Sequence, residues 1–230
     1  APGFIEETFK RMEKDLIPVF NKNVIPICIG GDHSITLPEL RAVHKTKGPV
    51  ALVHFDAHSD TYDSYFGKLY NHGTTFRRAI EEGLLLVDHS IQIGIRGHFY
   101  DSEGLDSARN LGLEVLPAWD VRKIGFSEVI QKIKSRVQDK PVFVSFDIDF
   151  LDAAYAPGTG TPEIGGFTTW EAQELLRGGL QGLNFVGFDL VEVSPCNDPA
   201  NITAFAAAGM IYEFISLIAL NKKMATKVVK

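Results

Sequence analysis

Short apolar runs alternate along the chain with stretches in which apolar positions recur every three or four residues. The runs Val24 to Ile29, Val50 to Phe55, Ser90 to Ile95, Leu113 to Leu116, Val142 to Phe146 and Phe185 to Val193 predict strands. Helical spacing predicts helices over Phe4 to Asn21, from about Ser34, and over Thr74 to Glu82, Asp101 to Asn110, Phe126 to Val137, Thr168 to Arg177 and Ile202 to Leu220. Pro38 is tolerable only in the early turns of its helix. Two segments predict long loops: Thr61 to Asn71, rich in Tyr, Asp and Gly, and the Gly/Pro stretch Leu151 to Phe167. Strands that are apolar on both faces and separated by helices require a sheet covered on both sides. The expected fold is therefore α/β, a three-layer αβα arrangement around a central parallel sheet. No internal repeat, low-complexity tract or linker divides the chain, so residues 1–230 are expected to form a single domain.

Composition narrows the picture. At 45% hydrophobic and 23% charged over 230 residues, the chain suits a globular domain with a sizeable core. The longest apolar candidate, Ile202 to Leu220, is interrupted by Gly209, Tyr212 and Glu213, which predicts a buried amphipathic helix and no membrane span. A net charge of −6 argues against nucleic acid or an anionic membrane as the main partner. Cys28 and Cys196 lie far from any zinc or redox spacing and read as reduced, buried thiols of a cytoplasmic protein. The opening Ala1-Pro2-Gly3 carries neither an initiator Met nor a signal segment, so the fold is expected to be N-terminally incomplete.

In open parallel sheets, ligands bind beyond the carboxyl ends of the strands. Reading those ends in order gives Gly30-Gly31-Asp32-His33-Ser34, Asp56-Ala57-His58-Ser59-Asp60, Asp147-Ile148-Asp149 and Asp189-Leu190-Val191-Glu192. Asp56, His58 and Asp60 stand two residues apart, which points them to one side of an extended chain, and Asp147 and Asp149 share that relationship. Four carboxylates and an imidazole converging at two apolar strand ends repel one another unless cations join them. With His33 the set becomes two His and four Asp, enough for two divalent ions if Asp56 and Asp147 are shared. Hard oxygen donors with limited imidazole favour Mn²⁺ over Zn²⁺.

Each piece alone has a plainer explanation. The Gly pair before His33 also describes a tight turn with a helix-capping or core histidine, and it lacks the third glycine of a dinucleotide loop. Asp147-Ile148-Asp149 also fits a solvated strand end. The joint placement on successive strand ends is what points to metal. His72, just beyond the first long loop, fits a cavity-mouth residue and a surface imidazole equally. His44, His54, His89 and His98 have no comparable carboxylate cluster in sequence and read as structural or exposed, and Arg77-Arg78 reads as a solvated helix face.

Gly30-Gly31-Asp32-His33-Ser34, His54-Phe55-Asp56-Ala57-His58-Ser59-Asp60 and Ser145-Phe146-Asp147-Ile148-Asp149 resemble the three metal motifs of the arginase/agmatinase (ureohydrolase) family. The stretches Ala156 to Glu163 and Gly187 to Val193 resemble its agmatinase-like branch, and the likeness covers almost the whole chain. That resemblance implies an arginase-like fold with His33, Asp56, His58, Asp60, Asp147 and Asp149 ligating two Mn²⁺ ions per subunit. It implies a proton-shuttling role for His72, a guanidinium-holding role for Glu192, and a homo-oligomer, either a trimer or a hexamer of two trimers. Two departures stand out. Leu151-Asp152-Ala153 replaces the family's Leu-Asp-Pro, an exchange expected to loosen that loop without removing a ligand. Relatives also carry some tens of residues further upstream, which supply a strand, subunit contacts and part of the site rim.

The resemblance implies hydrolysis of agmatine to urea and putrescine by a metal-bridging hydroxide, with Asp60 orienting it. The run Asn201-Ile202-Thr203-Ala204 resembles agmatinases, whereas Asp63 and Lys68 in the first long loop leave a 4-guanidinobutyrase-like guanidino-acid hydrolase as the alternative. A two-metal phosphoesterase would place phosphate against Glu192, which is repulsive. A catalytically silent relative sits poorly with an intact ligand set.

Overall fold

The computed structural model describes residues 3–22, 24–99 and 104–228. Six strands form one sheet: β1 (Ile27–Ile29), β2 (Ala51–Phe55), β3 (Ile91–Ile95), β4 (Glu114–Pro117), β5 (Pro141–Asp147) and β6 (Asn184–Val191). Their spatial order is β1-β6-β5-β2-β3-β4, and every pairing is parallel. The expected α/β architecture is the observed one.

The strands alternate as a two-faced buried sheet must. Ala51, Val53 and Phe55 of β2 and Val142, Val144 and Phe146 of β5 face one cluster, together with side chains of α6 (Phe126–Val137), α7 (Thr169–Leu180) and α8 (Ile202–Val228). Leu52 and Phe143 face the other, against α1 (Ile5–Phe20), α2 (Thr36–Lys47) and α3 (Thr75–Glu81). The short helices α4 (Leu105–Asn110) and α5 (Ala118–Ile124) flank β3 and β4.

Several expectations need correcting. β1 begins only at Ile27, because Pro26 accepts a bond from Phe188 N–H but has no N–H of its own to continue the ladder. Helix α5 was not expected: it is under two turns long and buries only Ala118 and Val121, too few positions to show a period. Residues 101–103 of the expected Asp101 to Asn110 helix lie outside the described residues.

Helix α8 runs on to Val228, and by length and composition it is apolar enough to cross a membrane, contrary to the reading of its sequence. Its Ala206, Ala207, Met210, Phe214 and Leu217 pack into the main core, while Phe205, Tyr212 and Ile215 are exposed. Cys28 is only partly buried, and Cys196 is exposed, which corrects the expectation of two buried thiols.

Candidate metal centre

Sheet order explains why the acids meet. β2 has β3 on one side and β5 on the other, so the chain leaves the β2/β5 seam in opposite directions and opens a crevice there. Phe55 pairs with Phe146 across that seam, which sets Asp56 and Asp147 side by side one residue beyond. Asp147 in turn pairs with Val191, one residue before Glu192. On the far side of β6, Gly31 O accepts the Glu192 N–H at 2.8 Å, which carries the turn after β1 over the crevice. Asp32 caps that turn by accepting from Ser34 N, and His33 drops into the sheet tips.

His33 is fully buried, with Ser145 Oγ at 2.9 Å from its Nε2. Its Nδ1 lies 3.1, 2.9 and 3.2 Å from Oδ2 of Asp56, Asp60 and Asp147. Among the described residues, none of these is aligned for a hydrogen bond. A buried ring nitrogen facing three carboxylate oxygens at once suits a shared cation better than a proton held by any one of them.

A second group lies beside the first. His58 Nδ1 is 3.0 Å from Asp149 Oδ2 and 3.5 Å from Asp56 Oδ1. The Asp56 carboxylate thus offers one oxygen to each group. The other oxygen of Asp147, Oδ1, accepts the backbone N–H of Asp149 at 2.9 Å. The structure brings all six expected ligand residues together. Their mixed nitrogen and oxygen donors fit divalent metal.

The electrostatics make the same demand. Burial, then the charges of Asp149 and Asp56, pushes Asp147 well above the usual carboxylate range, and burial followed by Asp56 raises Asp149. Burial opposes a charged His33, yet the close carboxylates of Asp147, Asp56 and Asp60 outweigh it and push the imidazole well up. Too many buried acids compete for too few protons, the situation that dications relieve.

His72 and Glu192 stand at the mouth, with His72 Nδ1 3.9 Å from Glu192 Oε1. Together with His58, Asp60, Tyr62, Tyr65, Asp147 and Thr161 they line one small pocket. Burial raises Glu192 to about 7, against the His33 N–H that favours its ionised form. Asp60 and Glu192 are also among the few non-glycine residues with left-handed backbone, at φ 51° and 66°. Such strain persists only where surrounding structure imposes it, and it clusters at functional sites.

Some contributors escaped the sequence reading. Arg96 is half-buried and donates through Nη2 to the carbonyls of Asp149, Leu151 and Glu163. Asp152 accepts from Ala154 N and Gly166 N, both at 2.9 Å, so the loop after β5 is tied down even without the family's proline. Glu163 Oε1 reaches to 3.5 Å from His58 Nε2. The Arg96 and Glu163 partnerships have no local signal, because each joins segments dozens of residues apart. His54 was read as lacking a carboxylate cluster, yet its Nε2 lies 2.7 Å from Asp56 Oδ2. Arg78 is buried and paired with Asp63 and Glu81, which corrects its reading as a solvated face. His98 is exposed as expected.

Comparison with known proteins places these residues in context. The model of the arginase family matches residues 2–216. The chain is 44% identical over 212 residues to a guanidinobutyrase of Pseudomonas aeruginosa, covering 92% of this chain and 66% of that protein. It is 49% identical over 197 residues to an agmatinase of Photorhabdus laumondii, covering 86% of this chain and 61% of that one. The structure of proclavaminate amidino hydrolase from Streptomyces clavuligerus superimposes with a TM-score of 0.91 at 40% identity, covering 96% of this chain and 73% of that one. The chain thus spans about two thirds of the length of the curated relatives it matches.

Proposed function

The chain belongs to the arginase family, and from that premise we propose that it acts as a two-manganese amidinohydrolase cleaving agmatine to urea and putrescine. The observation that carries this reading is the Asp56 carboxylate, divided between the His33 group at 3.1 Å and the His58 group at 3.5 Å. His33, Asp56, Asp60 and Asp147 would hold one ion. His58, Asp56, Asp149 and Asp147 would hold the other. When bound, such a pair lowers the pKa of water toward neutrality.

The chain's own groups do the rest. Glu192 pairs with the guanidinium nitrogens and holds the carbon over the Asp56–Asp147 seam. Asp60 accepts a hydrogen bond from the attacking water and orients it. His72, a third exposed at the mouth, carries a proton to the departing amine. The small pocket offers acids, histidines and tyrosines, and no lysine or arginine among its described lining residues. That lining favours a substrate whose far end is also cationic.

A guanidino acid is the second reading. It is favoured by Lys68, a basic residue on the long loop that leads to His72, and by the likeness to a guanidinobutyrase. Assembly as a homotrimer or hexamer, and residence in the cytoplasm, belong to the proposal through family resemblance alone. Urea release from agmatine, 4-guanidinobutyrate and 3-guanidinopropionate in the presence of Mn²⁺ tests it. The highest kcat/KM is expected with agmatine. Preference for an acid overturns the amine-tail reading, and no urea from any compound by metal-loaded protein overturns the hydrolase reading.

A further inference from the structure

One layer beneath the carboxylates, a single register row crosses five strands: Cys28, Asp189, Ser145, His54 and Gln92. Its last four members are fully buried. A polar row inside a parallel sheet is costly unless each member has a partner. Ser145 meets His33, and Asp189 accepts from Thr36 Oγ1 at 2.6 Å. The remaining pair, His54 and Gln92, serves Asp56.

The direction of the hydrogen bonds in that pair is fixed from one end. Gln92 Nε2 lies 2.6 Å from the carbonyl oxygen of Ser59, which can only accept. An amide turned the other way would set two oxygens against each other at that distance. The NH₂ group must therefore face Ser59, and its second hydrogen meets His54 Nδ1 at 3.0 Å. With Nδ1 accepting, a neutral imidazole carries its proton on Nε2, which is 2.7 Å from Asp56 Oδ2. The Gln92 Oε1 has no partner among the described residues, so nothing else competes for the amide's orientation.

We propose that His54 is a positioning residue for the shared carboxylate Asp56, locked by Gln92 as the Nε2–H tautomer and so kept from ligating metal itself. His33, His54 and Asp56 offer ligand atoms within 4.8 Å of one another, which makes the distinction a real one. A nitrogen that carries a proton has no lone pair to give. Its N–H instead draws Asp56 Oδ2 into a fixed orientation, as outer-shell partners of metal ligands do. This inference rests on the two-metal reading of the site, and its test separates the two.

In the full chain labelled with ¹⁵N-histidine, long-range ¹H–¹⁵N spectra are expected to show His54 as the Nε2–H tautomer, before and after addition of ¹¹³Cd²⁺ as a diamagnetic probe. Cadmium coupling is expected at His33 and His58 and absent at His54. Gln92→Glu draws a proton onto Nδ1, and Cd²⁺ affinity is expected to fall about 10- to 100-fold. Gln92→Asn, too short to span the same acceptors, gives an intermediate loss in a second variant. Cadmium coupling to His54, an Nδ1–H tautomer, or a folded Gln92→Glu protein that binds Cd²⁺ as tightly as the native chain overturns the proposal. A native chain that binds no Cd²⁺ sinks the metal reading, while the tautomer of His54 still decides its hydrogen-bond role.

Discussion

The backbone N–H of His33 donates to Oε1 of Glu192 at 2.8 Å. The carboxylate assigned to the substrate therefore also braces the turn that carries a candidate ligand, and the two duties separate by substitution. Glu192→Gln keeps an oxygen for the His33 N–H and loses the charge. Metal content is expected to stay at the native level, while kcat/KM for the preferred guanidino compound falls about 10- to 100-fold, the worth of a hydrogen bond to a charged group. Glu192→Ala loses both functions and is expected to lower metal content as well. Metal analysis beside urea kinetics on the two variants checks this; a Gln variant that loses metal would show that the roles are not separable.

Gly97 packs against the ring of His58. A Cβ built there falls 2.4 Å from Cδ2 and 2.6 Å from Nε2 of His58. Gly97→Ala must displace that ring, so the His58–Asp149 end of the site should weaken while the His33 end persists. The expected result is one tightly held metal per chain in place of two, with the melting temperature reduced only modestly, since overpacking costs roughly 1–3 kcal/mol. Two tightly bound equivalents in the variant would mean that His58 has room the geometry does not show.

Arg96 joins the end of β3 to the loop after β5 by donating to three carbonyls of that loop. Arg96→Ala removes the side-chain donor of the Asp149 and Leu151 carbonyls, while Glu163 O keeps the Ala153 N–H, and a loss of about 2–4 kcal/mol in urea unfolding is expected. Arg96→Lys should recover little, because a single ammonium cannot reproduce the planar fork. Full rescue by lysine would mean that charge alone, and not the directed hydrogen bonds, holds the loop.

The sheet and most of the site were legible because both obey local rules. The apolar runs anticipated all six strands to within a few residues, and ligand types spaced two apart at strand tips predicted Asp56 with His58 and Asp60, and Asp147 with Asp149. Strand order was not legible. The β2/β5 seam, which makes Asp56 and Asp147 neighbours, depends on crossovers that no local pattern encodes. The same limit hid His54, whose partner Gln92 lies 38 residues away on the next strand. It hid Arg96 as well, since an isolated arginine after a strand reads as a solvated end. Helix α8 was legible from Ile202 to Leu220, but the partner of its buried Glu213 was not, since Arg177 lies 36 residues away on α7.

Glu39 on α2 is a fully buried acid whose two carboxyl oxygens have no hydrogen-bond partner among the described residues. Burial, then the negative charge of nearby Asp189, pushes its pKa well above 4.5. The folded chain therefore holds a proton that the unfolded chain releases near ~4.3. Its contribution to stability is intact below that value and is lost as pH rises toward the folded pKa, at about 1.4 kcal/mol per pH unit. Glu39→Gln removes the ionisable group while keeping nearly the same shape. The stability of the variant relative to the native chain should thus increase from pH 5 to pH 8. Urea unfolding of both proteins at matched metal concentration across that range measures the difference directly, because pH effects common to the two cancel. Parallel curves would mean that Glu39 is already ionised in the fold, with a counter-charge that the geometry around α2 does not supply.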